Sequence, residues 1–184
     1  TNGDAGGTWS SANTSVATID PSTGVVNAVG IGNAVITYTK SASPCADASA
    51  TLTLNVTNTF ITSGVNSNWS NPSAWGGGVV PATTGDVVIS HNLNVDLSTN
   101  TLGSLTIDAS KTLTINTGQT LTAVGATDIN GTLSIAGTGK YDANGAFDAT
   151  NGIIDFTGAG KLECSNTVTS LGTLDDAAGT VEYD

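Results

Sequence analysis

The sequence predicts an all-β protein, and three observations carry that prediction. Met is absent and Lys plus Arg total only four, so much of the helix-favouring alphabet is missing, while Thr, Val and Ile are plentiful and suit half-buried strands. No stretch keeps an apolar period near 3.6, whereas alternation of the kind in Thr51-Leu52-Thr53-Leu54-Asn55-Val56 is common. Finally, the stretch GTLSIAGTGKYD at 131–142 returns as GIIDFTGAGKLE at 152–163. Repetition at such a spacing in a β-rich chain is the mark of a solenoid.

Residues 1–58 read as short strands separated by tight turns. Trp9, Val16, Ile19 and Val25 are expected in a small core, together with Val29, Val35, Ile36 and Tyr38. Asp20-Pro21-Ser22-Thr23-Gly24 is a turn with a mechanism, because Pro21 presets φ and Gly24 tolerates φ > 0. Gly30 and Gly32 bracket a second bend. The residues Thr8-Trp9-Ser10-Ser11, Val16-Ala17-Thr18-Ile19, Gly24-Val25-Val26 and Ala34-Val35-Ile36-Thr37-Tyr38 resemble the bacterial immunoglobulin-like domains of group 2, which are repeated along bacterial adhesins and invasins. The resemblance implies a β-sandwich. That family has one or two further strands before the Trp-containing one, so the resemblance implies a truncated sandwich with an exposed strand edge. It is then either a cut fragment or completed by another chain.

Residues 59–85 are expected to be a linker and cap. Trp69 and Trp75 lie in a Gly- and Asn-rich run, where two readings compete. They could form a ligand-binding platform for sugar faces, or plug the open end of the following domain; a solenoid needs its terminal coil covered, which favours the plug. The pattern of the two Trp, Pro81 and Gly85-Asp86-Val87-Val88-Ile89 resembles the start of secreted β-helical modules of large Gram-negative surface proteins, and more loosely the eight-glycine extracellular domain.

Residues 86–184 are expected to form a right-handed parallel β-helix of about five coils of 20–21 residues. The structural core is a column formed by Leu93, Leu113, Leu133, Ile154 and Leu174, with a parallel column of Val95, Ile115, Ile135 and Phe156. Gly118, Gly139, Gly160 and Gly179 recur just before Leu121, Tyr141, Leu162 and Val181, where sharp corners favour residues without a Cβ.

Charge narrows the function. The net charge is −11 and Arg is absent, which argues against nucleic acid, whose phosphates demand cations, and against an anionic membrane surface. The longest apolar runs fall far below the roughly 18 residues of a membrane span. No signal peptide is evident, which suggests a mature or excised piece. Cys45 and Cys164 lack metal-ligand spacing. They are expected either as small buried apolar residues or, alternatively, as a long-range disulfide.

Catalysis is not expected, so no catalytic residue is assigned. Asp155 and Asp175 share an outward column one coil apart, with Asp176 and Glu163 nearby, and could bind Ca²⁺ or act as acid and base. Yet the lysines look scattered, and an acidic column usually faces solvent. His91, the only histidine, has no nucleophile motif beside it and reads as a surface or capping residue. Gly76-Gly77-Gly78 lacks the residues of a phosphate loop. Outward Thr112, Thr132, Thr173, Thr114 and Ser134 suggest an ice-binding array, but Ile153 and Asp155 interrupt it.

The resulting expectation is a non-catalytic part of a large secreted adhesin or structural stalk on a Gram-negative cell surface, with no cofactor beyond possible Ca²⁺. Its partners would be neighbouring domains or other copies of the same protein, without membrane insertion. The alternatives are a carbohydrate-binding or carbohydrate-active β-helix, an ice-binding solenoid, and a filament joined head to tail through open strand edges.

Overall fold

The computed structural model describes residues 6–42, 44–64, 67–81, 85–98, 100–176 and 178–184. The chain divides after Asn58 into two units.

In the N-terminal unit, strands β1 (Thr8–Ser11), β4 (Gly32–Lys40) and β5 (Ala48–Val56) form an antiparallel sheet in the order β1-β4-β5. A separate hairpin joins β2 (Ala17–Ile19) and β3 (Val26–Ala28). The turn before β3 forms as its sequence dictates. Asp20 Oδ1 accepts hydrogen bonds from Thr23 N, Ser22 Oγ and Ser22 N, which hold its carboxyl far below the usual range, and Gly24 sits at φ 72°. Val16, Ala17, Ala34 and Ile36 make the buried core, with Trp9, Ile19, Leu54 and Val56 against it. Tyr38 packs its ring on Trp9 at 4.6 Å.

Three expected core residues are exposed instead: Val25 at 67%, Val29 at 56% and Val35 at 39%. Val35 sits between Ala34 and Ile36, and side chains on a strand alternate faces, so burying its neighbours turns it outward. Val25 and Val29 flank β3, all of which is exposed.

The C-terminal unit is a parallel β-solenoid. Its strands run β6 (Thr59–Ile61), β7 (Ser67–Asn68), β8 (Asp86–Ile89), β9 (Leu93–Val95), β10 (Asn100–Leu102), β11 (Leu105–Ile107), β12 (Thr112–Ile115), β13 (Thr120–Ala123) and β14 (Thr127–Ile129). They continue as β15 (Thr132–Ile135), β16 (Lys140–Ala143), β17 (Phe147–Asp148), β18 (Ile153–Phe156), β19 (Lys161–Cys164), β20 (Val168–Ser170), β21 (Thr173–Asp176) and β22 (Thr180–Tyr183). Among the described residues β6 stacks on β8 and β7 on β9, and from β8 onward every third strand stacks in parallel, building three faces. The first holds β6, β8, β11, β14, β17 and β20; the second β7, β9, β12, β15, β18 and β21; the third β10, β13, β16, β19 and β22.

The expected core column is real. Leu93 pairs with Leu113, Leu113 with Leu133, Leu133 with Ile154, and Ile154 with Leu174. The first four are at most 2% exposed. Leu174 departs from the expectation at 42% exposure, because β21 is paired on one side only. Residues 59–85 also differ from the expected linker. β6 pairs in parallel with β8 and β7 with β9, so the stacking begins at Thr59.

Two devices close the corners. Polar side chains bind across successive coils, as in Ser104 Oγ to Asp86 Oδ1 at 2.7 Å and Ser165 Oγ to Asn144 Oδ1 at 3.0 Å. Glycine permits close backbone approach where Gly103, Gly125 and Gly145 stack: Gly125 N donates to Gly103 O at 2.5 Å, and a Cβ on Gly145 would collide with Gly125 O.

Candidate functional site

The capped end comes first. After β6 the chain loops out and returns through a 3-10 turn at Pro72–Ala74, whose N-cap Asn71 accepts from Ser73 N at 3.0 Å. Thr62 and Trp75 then form an antiparallel bridge. Trp69 is 0% and Trp75 2% exposed, inside the solenoid core. Their rings meet edge to face at 4.8 Å, and Trp75 Nε1 donates to Trp69 O at 3.0 Å. This corrects the sugar-platform reading, since a ring with no exposed face cannot stack on a ligand. Trp69 Nε1 is buried without an acceptor among the described residues, at a cost of about 1–3 kcal/mol. Burying a large aromatic ring of roughly 150–250 Å² returns roughly 4–6 kcal/mol, so packing wins.

His91 belongs to the same end. Its Nδ1 lies 3.0 Å from Thr62 O, which can only accept, so the ring donates there. Thr62 Oγ1 accepts from Ser90 N at 2.8 Å and His91 N at 2.9 Å. The histidine therefore fastens the leading coil. Gly76-Gly77-Gly78 forms a turn next to it, with Gly78 at φ 66°.

On the second face, Asp155 and Asp175 are direct neighbours on adjacent coils. Asp155 Oδ2 accepts from Ser134 Oγ at 2.8 Å. Among the described residues no group of three or more His, Cys, Asp or Glu side chains could hold a metal ion. The side chain of Asp176 lies outside the described residues, and Glu163 belongs to the third face. Like charges placed directly opposite destabilise a sheet. Asp175→Asn should therefore raise solenoid stability by about 0.5 kcal/mol, read as a higher urea midpoint with an unchanged slope. Thr112 and Thr132 pair on this face, but Ile153 follows them at 41% exposure and separates them from Thr173 on the next coil, so the threonine array is broken.

The third face holds a cluster that reading the chain linearly misses. Two of the four lysines, expected to be scattered, come together there: Lys140 pairs with Lys161, beside a column of Thr122, Asp142, Glu163 and Glu182. Lys140 contacts Glu163, and Lys161 reaches Glu163 at 3.4 Å and Glu182 at 3.0 Å. The signal was present as Lys-x-Asp at 140–142 and Lys-x-Glu at 161–163, one repeat apart.

Lys140 is the main cause holding the Glu163 carboxyl below its ordinary value of 4.5. Between the lowered folded pKa and 4.5 the unfolded chain binds more protons, so stability rises with pH there. The contribution is complete above about 4.5 and disappears as pH falls through the folded value. Glu163→Gln should cost on the order of 1 kcal/mol at pH 7 in low salt, and much less at 1 M salt, where the Debye length is about 3 Å. Urea melts of both proteins at pH 7 and pH 3 would measure this, with the difference shrinking at pH 3.

The described residues also stack Asp128 on Asp148 on the first face. In the core, Thr127 stands in an otherwise apolar column, 2% exposed, its Oγ1 2.7 Å from Tyr141 Oη. Both cysteines are free. Cys164 is buried as expected, and burial pushes its thiol up to about 11. Cys45 is exposed, contrary to expectation, on the loop between β4 and β5. The N-terminal unit also has a cavity of about 560 Å³ lined by Trp9, Ile36, Tyr38, Leu52 and Leu54.

The three-stranded sheet and its Trp-bearing first strand find a counterpart among known families. Residues 1–50 match the bacterial Ig-like domain (group 2). No curated protein and no solved structure matches the chain significantly. Domains of this Ig-like group occur in bacterial surface proteins. Together with the solenoid, the Ig-like match fits a module of such a protein. Among the described residues no helix is long and apolar enough to cross a membrane.

Proposed function

We propose that the chain is a non-catalytic structural module of a bacterial adhesin or stalk protein, exported to the surface of a Gram-negative cell. The observation that carries this reading is the parallel stacking from β6 to β22, which places its inward side chains in an apolar core and leaves polar outward columns. Stacked coils bury their strand hydrogen bonds between neighbours, giving stiff length. The Ig-like match supports the surface assignment, and the net charge of −11 suits an exposed protein that avoids nucleic acid and anionic membranes. Neighbouring domains or other copies of the same protein are the proposed partners. The carbohydrate reading loses its platform with the burial of Trp69 and Trp75.

The test is protease shaving of intact cells of the source organism, followed with an antibody against the solenoid. The proposal expects labelling of intact cells that external protease removes. Labelling that appears only after lysis would contradict it.

A further inference from the structure

We propose that Ala74–Gly76 is an edge strap that keeps the solenoid from pairing with a second copy through β6. Stacking in parallel leaves a strand edge at each end of a solenoid, and an open edge is a template for another chain. β6 uses one edge on β8, as Thr62 N donating to Val88 O at 3.0 Å continues that pairing. Alternate residues point their backbone groups the opposite way. On that outer side Ser63 N donates to Ala74 O at 2.8 Å, and Gly76 N donates to Ile61 O at 2.9 Å. The strap thus occupies one outward donor, Ser63 N, and one outward acceptor, Ile61 O, at the C-terminal end of β6, where an incoming strand would otherwise pair.

It is anchored from within. The Trp75 ring, 2% exposed, packs against Trp69 and edge-on to Phe60, at 6.4 Å between ring centroids. Lifting the strap uncovers this aromatic cluster together with the β6 edge, so the same event exposes an adhesive surface and a pairing template. Two unstrapped copies would join antiparallel, β6 to β6, about a two-fold axis. An isologous contact of this kind closes on itself. The strap also opposes the head-to-tail filament expected from open ends, because that assembly needs this end free.

The experiment compares the parent chain with Trp75→Ala, which removes the anchor, and Gly76→Pro, which removes only the donor to Ile61 O. Sedimentation velocity across a concentration series is combined with amide hydrogen exchange at Ser63. In the parent, Ser63 is protected at every concentration. In dilute variants its exchange should accelerate roughly tenfold or more, the equivalent of losing one or two net hydrogen bonds. As concentration rises, the variants should form dimers and Ser63 should become protected again. Gly76→Pro keeps the core intact should Trp75→Ala fail to fold. Folded variants that stay monomeric, or that associate without protecting Ser63 again, would overturn the proposal, as would rapid Ser63 exchange in the parent.

Discussion

Leu133→Ala should destabilise the solenoid by about 3 kcal/mol, within the 2–5 kcal/mol typical of emptying a packed leucine site. Leu133 is fully buried between Leu113 on one coil and Ile154 on the next. Close-packed coils on both sides leave little room for the cavity to collapse. The contrasting substitution is Leu174→Ala, in the same column but 42% exposed on β21. Its cost should stay below about 1 kcal/mol. The two leucines occupy equivalent positions of the repeat, so composition alone predicts equal effects; only stacking separates them. Urea unfolding followed by far-ultraviolet circular dichroism measures both. Equal losses would mean that Leu133 has no coil on each side.

Gly145→Ala should cost about 3 kcal/mol, the upper end for overpacking, because the group it strikes is backbone. The added Cβ would run into Gly125 O and C, far inside the 3.0 Å that real Cβ atoms keep. A side chain could swing aside, but a carbonyl held in a corner between coils can move only by shifting the coil. The control is Gly77→Ala, where a Cβ meets nothing within 4 Å. That change should stay within about 0.5 kcal/mol of the parent. A Gly145→Ala protein as stable as Gly77→Ala would show that the coils do not approach so closely at this corner.

The second face was legible in the sequence because each of its coils opens on a Leu or Ile at a steady interval. The alternation around Leu113, Leu133 and Ile154 shows which neighbours point inward. The third face was half legible: Tyr141 and Leu162 follow their glycines at the same interval. The first face was not. Its inward column reads Val87, Leu105, Thr127, Phe147 and Val168, and so mixes a hydroxyl with residues of very different size. Thr127 is tolerated there because Tyr141 Oη satisfies it, a pairing between two faces that linear order conceals. Burial pushes the Tyr141 phenol well above its ordinary 10.0, consistent with a neutral hydroxyl sharing that bond.

The start of the solenoid was hidden for a different reason. Thr59 pairs with Asp86, an interval longer than any later one, because the Trp-bearing loop is inserted between β6 and β8. The same loop explains why Trp69 and Trp75 invited a binding reading. Aromatic residues in a Gly-rich run look exposed until the chain is folded back over the first coil. At the third face the error was one of scale: Lys140 and Glu163 are distant in sequence, yet stacking makes them neighbours. In the N-terminal unit, Val25 and Val29 were misplaced because hydrophobicity alone does not show which side of a two-stranded hairpin is covered.

The central claim is that residues from Thr59 onward stack as parallel coils, and nuclear Overhauser contacts between backbone protons test it most directly. The account predicts contacts linking Leu113 to Leu133 and Leu133 to Ile154 on the second face. It also predicts contacts linking Leu121 to Tyr141 and Tyr141 to Leu162 on the third, in the slanted pattern of parallel strands. Close α-proton pairs between consecutive strands such as β12 and β13, the signature of antiparallel hairpins, would contradict it.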